Sequence, residues 1–161
     1  MRSNGYKPDK EEKPLLEASA KTVFPSDIKK NPALYADTLV HWIGIVKDVV
    51  IKDSDNTSTV VFTLDQKYWD YTEDYSIQDE VLFLSPLGEG NFHVLVQLEL
   101  TAEQKEKLKE MPAQQTLFFC YGKIIVDADL PALKASYIKT VDYKYYSTRI
   151  FSYKIKRDEQ G

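Results

Sequence analysis

LVHWIGIVKDVVI, residues 39–51, is the longest apolar run in the chain, and one glycine, Gly44, sits near its middle. The density of Val and Ile reads as a β-strand. Glycine weakens a strand interior, so it marks a bulge, a bend or the close approach of another backbone. The arrangement returns at 114–128, QQTLFFCYGKIIVDA, around Gly122. In a small closed barrel the strands coil sharply to serve both sides, and a glycine allows that bend without steric cost. Gly44 and Gly122 are therefore read as corner glycines; the alternative is a sandwich in which both mark bulges.

The segments between them complete the pattern. SDN (54–56) is turn chemistry. TSTVVFTLD (57–65) alternates, with Val60, Phe62 and Leu64 on one face and Thr59, Val61 and Thr63 on the other, as in a strand with one buried side. EVLFLSP (80–86) and NFHVLVQLEL (91–100) read as two strands joined by an LGEG hairpin turn, with Phe92, Val94, Val96 and Leu98 inward. TAEQKEKLKEM (101–111) is a helix: Thr101 and Gln104 have capping-box spacing, and Pro112 is expected to close it. Its apolar face is thin (Ala102, Leu108, Met111), which fits an element laid over the end of another structure. DLPALKAS (129–136) reads as a loop, and YIKTVDYKYYSTRIFSYKI (137–155) as the last strand or strand pair. Upstream, in FPSDIKKNPALY (24–35), Ser26 is expected to cap a short helical turn. Strand groups with one helix between the third and the fourth predict a mainly β fold: a small OB-like Greek-key barrel with one capping helix.

At 161 residues, 43% of them apolar, the chain has material for one core, assigned to a single domain over 22–157. Residues 1–21, polar around Pro8 and Pro14, read as a tether or tail with a docked segment at LLEASA, and 158–161 as a disordered tail. A net charge of −4 is a poor basis for gripping phosphate backbones, so nucleic acid is not expected as a partner. The single cysteine, Cys120, excludes an internal disulfide. No run approaches the roughly 20 apolar residues of a membrane span.

Sites of chemistry are sparse. His41 and His93 lie inside strand patterns, outside any metal-ligand spacing, and Cys120 shares a face with Phe118, Ile124 and Val126 as a small core residue. The sequence carries no nucleophile elbow, P-loop or dinucleotide fingerprint. No enzyme activity, metal or cofactor is expected. The most unusual stretch is acidic and aromatic: Tyr68, Trp69, Asp70, Tyr71, Glu73, Asp74 and Tyr75, read as a loop that contacts another protein or, equally, as one whose rings fold back over the barrel wall. The alternative is a single-stranded nucleic-acid face on the basic aromatic C-terminal stretch, with Lys139, Tyr143, Lys144, Tyr145, Arg149, Tyr153 and Lys154. A third reading is a sugar-binding barrel using Trp42 or Trp69.

NPALYADTLVHWIGIVKDVV (31–50) resembles the opening of the starvation-inducible outer-membrane lipoproteins of the Slp type, through Pro32, Leu34, Tyr35, Gly44 and Val46. Thr59 before alternating apolar residues, and Gly122 followed by a lysine and Ile124, extend the likeness over roughly 25–153. Asp37 and Ile43 depart from it. The resemblance implies a barrel tethered by residues 2–21 to a lipid anchor outside this sequence, at the periplasmic side of the outer membrane. It implies protein contacts there with other envelope proteins, within an envelope or secretion assembly; the alternative location is the cytoplasm. It also implies an apolar leader ending in cysteine before Arg2.

Overall fold

The computed structural model describes residues 8–74, 79–85, 87–126 and 129–141, with backbone alone at 70–74, 79–84 and 141. In chain order the elements are helices α1 (Glu12–Ala18) and α2 (Pro25–Lys30), a 3-10 turn (Pro32–Tyr35), strands β1 (Leu39–Ser54), β2 (Thr57–Lys67), β3 (Trp69–Asp74), β4 (Asp79–Leu84) and β5 (Gly90–Leu98), helix α3 (Ala102–Gln114), and strands β6 (Leu117–Ile125) and β7 (Ala132–Val141). Five strands close a barrel in the order β1-β2-β5-β7-β6. All neighbours are antiparallel except β5 and β7, which are parallel. With α3 between the third and fourth barrel strands, this is the OB topology.

β1 serves both sides of the barrel. Leu39–Ile45 pairs with β6, and from Ile43 onward the other edge pairs with β2, with a bulge between Val46 and Asp48. Alternation sends Val40, Trp42 and Val46 into a core shared with Val60, Phe62, Leu64, Phe92, Val94, Phe118, Cys120, Ile124 and Leu133. Gly44 and Gly122 occupy inward positions of this alternation. Neither has a positive φ. What both positions require is room: a Cβ at Gly44 would lie 2.8 Å from the Asp65 carbonyl oxygen and 2.9 Å from Leu64 Cβ, and one at Gly122 would lie 2.6 Å from the Lys134 carbonyl oxygen. The neighbouring strand folds across the place a side chain would fill, which is how five strands wrap this tightly. At Gly122 the bend coincides with a register shift between Tyr121 and Gly122.

The β1–β2 hairpin turns through Asp55 and Asn56, Asp55 with φ 51°, a conformation these short polar residues tolerate. α3 is capped reciprocally: Gln104 N–H donates to Thr101 Oγ1 (3.1 Å) and Thr101 N–H to Gln104 Oε1 (2.8 Å). Leu108 and Met111 pack against the core, so the helix covers one end of the barrel. Lys105 ties it to the end of β1 through Asp53 (2.9 Å).

Five expectations are corrected. EVLFLSP and NFHVLVQLEL do not form a hairpin: β4 pairs with β3 as a separate two-stranded sheet, and β5 pairs with β2, so LGEG is a connection rather than a turn between partners. The acidic stretch expected to be a loop is strand from Trp69 to Asp74; its charge obscures the local alternation, and cross-strand pairing decides it. β7 begins at Ala132, inside the stretch expected to be a loop, because Pro131 precedes the strand. Pro112 lies within α3, which runs on to Gln114 and ends at Gln115 with φ 52°. Near the N-terminus, Asp27 rather than Ser26 secures α2, accepting the Phe24 N–H (2.9 Å), with Pro25 at the first helical position.

Candidate functional site

The outer surface of β2 and β5 follows from the same alternation. Thr59, Val61 and Thr63 on β2 stand opposite Gln97, Leu95 and His93 on β5. β5 meets β7 over just three pairs, His93–Ala132, Val94–Leu133 and Leu95–Lys134. Past Leu95 and Lys134 the two strands have no further pairing, and a cavity of about 350 Å3 opens there, lined by Thr59, Leu95, Val96, Gln97, Ile125, Lys134 and Ala135. Ile125 also borders a second cavity of about 360 Å3, between Ile28, Lys29 and Pro32 on one side and Val126, Asp129, Leu130 and Pro131 on the other.

Lys134 stands directly across the β6–β7 ladder from Lys123. Both are exposed, and neither has an ion-pair partner among the described residues. Like charges placed opposite each other on adjacent strands repel. Water and salt screen two exposed ammonium groups, so the cost is small, and an anion between them would remove it. One outward step further along the same two strands, Tyr121 stands opposite Tyr137, with ring centroids 6.1 Å apart.

Of that second pair Tyr121 is buried and Tyr137 half-buried. His41, Phe119 and Tyr121 point outward from β1 and β6, yet all are buried. Tyr121 stacks on His41 at 4.0 Å with the rings 1° from parallel, and Trp69 and Phe119 flank the imidazole at 4.8 and 5.6 Å. Tyr121 Oη–H donates to Glu12 Oε1 (2.8 Å), and Lys139 Nζ reaches Glu12 Oε2 (3.3 Å) and Asp9 Oδ2 (2.6 Å). Glu12 and Leu16 of α1 are fully buried. Burial by these rings, and next the charge of Lys21, hold the His41 imidazole well below its ordinary pKa. Burial, then the carboxylates of Asp9 and Glu11, raise the Tyr137 phenol.

The residues singled out in the sequence lie in several separate places. Tyr68 is half-buried at the base of the β3–β4 hairpin, its hydroxyl donating to Glu89 Oε2 (2.7 Å) and its ring edge-on to Phe24 at 5.3 Å. Trp69 is 7% exposed, and its indole N–H donates to the His41 carbonyl (2.8 Å), so this ring seals the wall rather than meeting solvent. Asp70, Tyr71, Glu73 and Asp74 follow on β3, and Tyr75 lies outside the described residues. Trp42 is in the core with its N–H bonded to the Val23 carbonyl (2.9 Å), which leaves neither indole for a sugar. Lys139 is engaged with Asp9 and Glu12; Tyr143, Lys144, Tyr145, Arg149, Tyr153 and Lys154 lie outside the described residues. Cys120 is buried among Phe118 and Ile124 as expected, and burial pushes its thiol far above the usual range. Among the described residues no cluster of His, Cys, Asp and Glu is placed to hold a metal ion.

Lys123 and the cavity residues Thr59, Leu95 and Gln97 escaped sequence reasoning as site residues. Their only local signal is an outward strand position, shared by many residues; what singles them out is the gap between β5 and β7 and the opposition of two lysines across a ladder.

No family model matches the sequence, and no curated protein does. The resemblance to Slp-type lipoproteins therefore gains no support. Solved structures that are similar include a small single-stranded DNA-binding protein from Streptomyces coelicolor, with 14% identity over 65% of this chain and 93% of that one, at a TM-score of 0.38. A deletion mutant of the single-stranded DNA-binding protein from Thermus aquaticus is similar with 14% identity over 65% of this chain and 50% of that one, at a TM-score of 0.36. Likenesses this distant carry no function to this chain. The expectation of envelope proteins and a lipid anchor as partners, with nucleic acid set aside, is withdrawn: its first part rested on the Slp-type resemblance, and its second on the net charge, a sum over the whole chain. Asp9 and Glu12, counted in that sum, are spent on Lys139 and Tyr121, whereas Lys123 and Lys134 are not neutralised in this way.

Proposed function

We propose that this OB barrel is a binding module, not an enzyme, and that its ligand is a single-stranded nucleic acid laid across β6, β7 and the adjoining end of β5. The observation that carries the reading is the opposed, exposed pair Lys123 and Lys134, of which Lys134 lines the cavity between β5 and β7. An extended phosphate backbone relieves the repulsion between two such ammonium groups, and Leu95, Ile125 and the stems of the lysines offer apolar contact beside it. Thr59 and Gln97 add hydrogen-bonding side chains at the rim. The basic aromatic stretch that continues the sequence after β7 supplies more of the same ingredients in composition.

The test is fluorescence anisotropy with a labelled oligothymidylate over a salt series. Binding should weaken with salt. Replacing Lys123 and Lys134 by Ala should lower the slope of log K against log salt by about 0.7 for each phosphate left without its lysine. Binding that is absent at low ionic strength, or a slope indifferent to the double substitution, refutes the assignment.

A further inference from the structure

We propose that residues 9–19 are a displaceable acidic cover, and that the Tyr121, Tyr137 and Lys139 face against which they pack extends the nucleic-acid face when they leave. The inference rests on the single-strand reading above. The covered and open surfaces form one stripe: along β6 and β7 the outward pairs run from Lys123–Lys134 to Tyr121–Tyr137 and on to Lys139 opposite Phe119. Cations alternating with flat rings along a strand pair are what a single strand uses, phosphates on the first and bases on the second. The cover has the opposite character, with Asp9, Glu11, Glu12 and Glu17 against Lys10 and Lys13 in its first nine residues. Its carboxylates take the positions at Lys139 and Tyr121 that phosphate oxygens would otherwise approach.

The cover is also built to leave as a unit. α1 has seven residues, too few to be stable alone in water. The groups that shape it are the groups that dock it. Asp9 Oδ1 accepts the N–H groups of Glu11 and Glu12 (2.9 Å each) while Asp9 Oδ2 binds Lys139. Glu12 Oε2 accepts the Asp9 N–H (2.9 Å) and the Lys139 ammonium, while Oε1 holds Tyr121. Undocking therefore costs the helix its N-terminal bonds, and losing the helix costs the docking, which makes a small two-state element. The barrel does not depend on it for closure: the five-stranded ladder and the cluster around Trp42, Phe62 and Phe92 draw nothing from residues 9–19, and undocking uncovers Leu16, which is fully buried.

The experiment uses the full chain. Hydrogen exchange of residues 9–19 is measured with and without saturating oligothymidylate, and affinity is measured for a double variant, Asp9→Asn with Glu12→Gln. That variant retains capping acceptors and a partner for the Tyr121 hydroxyl but loses the charges that face Lys139. Exchange in 9–19 should accelerate on saturation, and the variant should bind about fivefold tighter or more, the low end of ordinary coupling between sites. Unchanged or slowed exchange in 9–19 at saturation, with binding that still needs Lys123 and Lys134, overturns the cover and leaves the binding reading standing. No binding by either protein overturns both.

Discussion

Gly122→Ala tests the packing on which the barrel depends. The added methyl would sit 2.6 Å from the Lys134 carbonyl oxygen, 3.1 Å from its carbon and 3.3 Å from Ala135 Cα. Ordinary contact begins near 3.4 Å, so the facing backbone of β7 must retreat by about 0.8 Å. That backbone is held by its ladder to β6 and, at Lys134, by the short parallel pairing with β5, so the displacement strains two strand contacts at once. Forcing a methyl into a filled site costs about 1–3 kcal/mol. Working against it, alanine restricts the unfolded chain and returns about 0.4–1 kcal/mol where its conformation is allowed, as the absence of a positive φ at Gly122 permits. The net expectation is a loss of roughly 1–2 kcal/mol, or about 2–8 °C in Tm for a chain of this size. Urea unfolding followed by tryptophan fluorescence measures it, with an unchanged slope showing that the midpoint shift is one of stability. Were glycine present merely to let the backbone bend, alanine would be neutral or stabilising. A Tm at or above that of the wild type refutes the close-approach account.

Two further outcomes are expected. His41 is buried neutral, so below the unfolded-state pKa near 6.5 the unfolded chain takes up a proton that the folded one refuses; stability is complete above that pH and falls below it, by up to about 1.4 kcal/mol per pH unit. Urea midpoints across about pH 7 to 5 should show this slope flattened in His41→Phe, and parallel curves for the two proteins contradict it. Thr101→Ala removes the acceptor for the Gln104 N–H on a largely exposed helix and should cost about 1 kcal/mol, restored by Thr101→Ser, as read by thermal melts; a loss equally large in Thr101→Ser points to packing instead of capping.

The inner core was legible because it depends on period-two alternation alone. Val60, Phe62, Leu64, Phe92 and Val94 are inward in any arrangement of those strands, and Thr101 with Gln104 defines a helix start within four residues. Gly44 and Gly122 announced sharply curved strands, though the reason proved to be the approach of Leu64, Asp65 and Lys134 rather than freedom at the glycines themselves. Pairing was not legible. EVLFLSP has the same alternation whether it joins β3 or β5, and only the completed barrel, in which β5 takes the edge of β2, leaves β4 to fold back on β3.

What the sequence determined by itself was local: which residues alternate, where a helix is capped, and that the two longest apolar runs each hold a glycine. Those features are set by neighbours a few residues apart, and they suffice for a mainly β barrel with one helix. The tertiary structure decided what meets what across long separations. It set Lys123 against Lys134, opened the wall between β5 and β7, buried Trp69 over His41, and brought Glu12 to Tyr121 across 109 residues. Charge and aromatic content can be counted along a chain. Whether a charge is neutralised or a ring is covered depends on the partner that folding brings to it, and that partner is distant in sequence at each of these places.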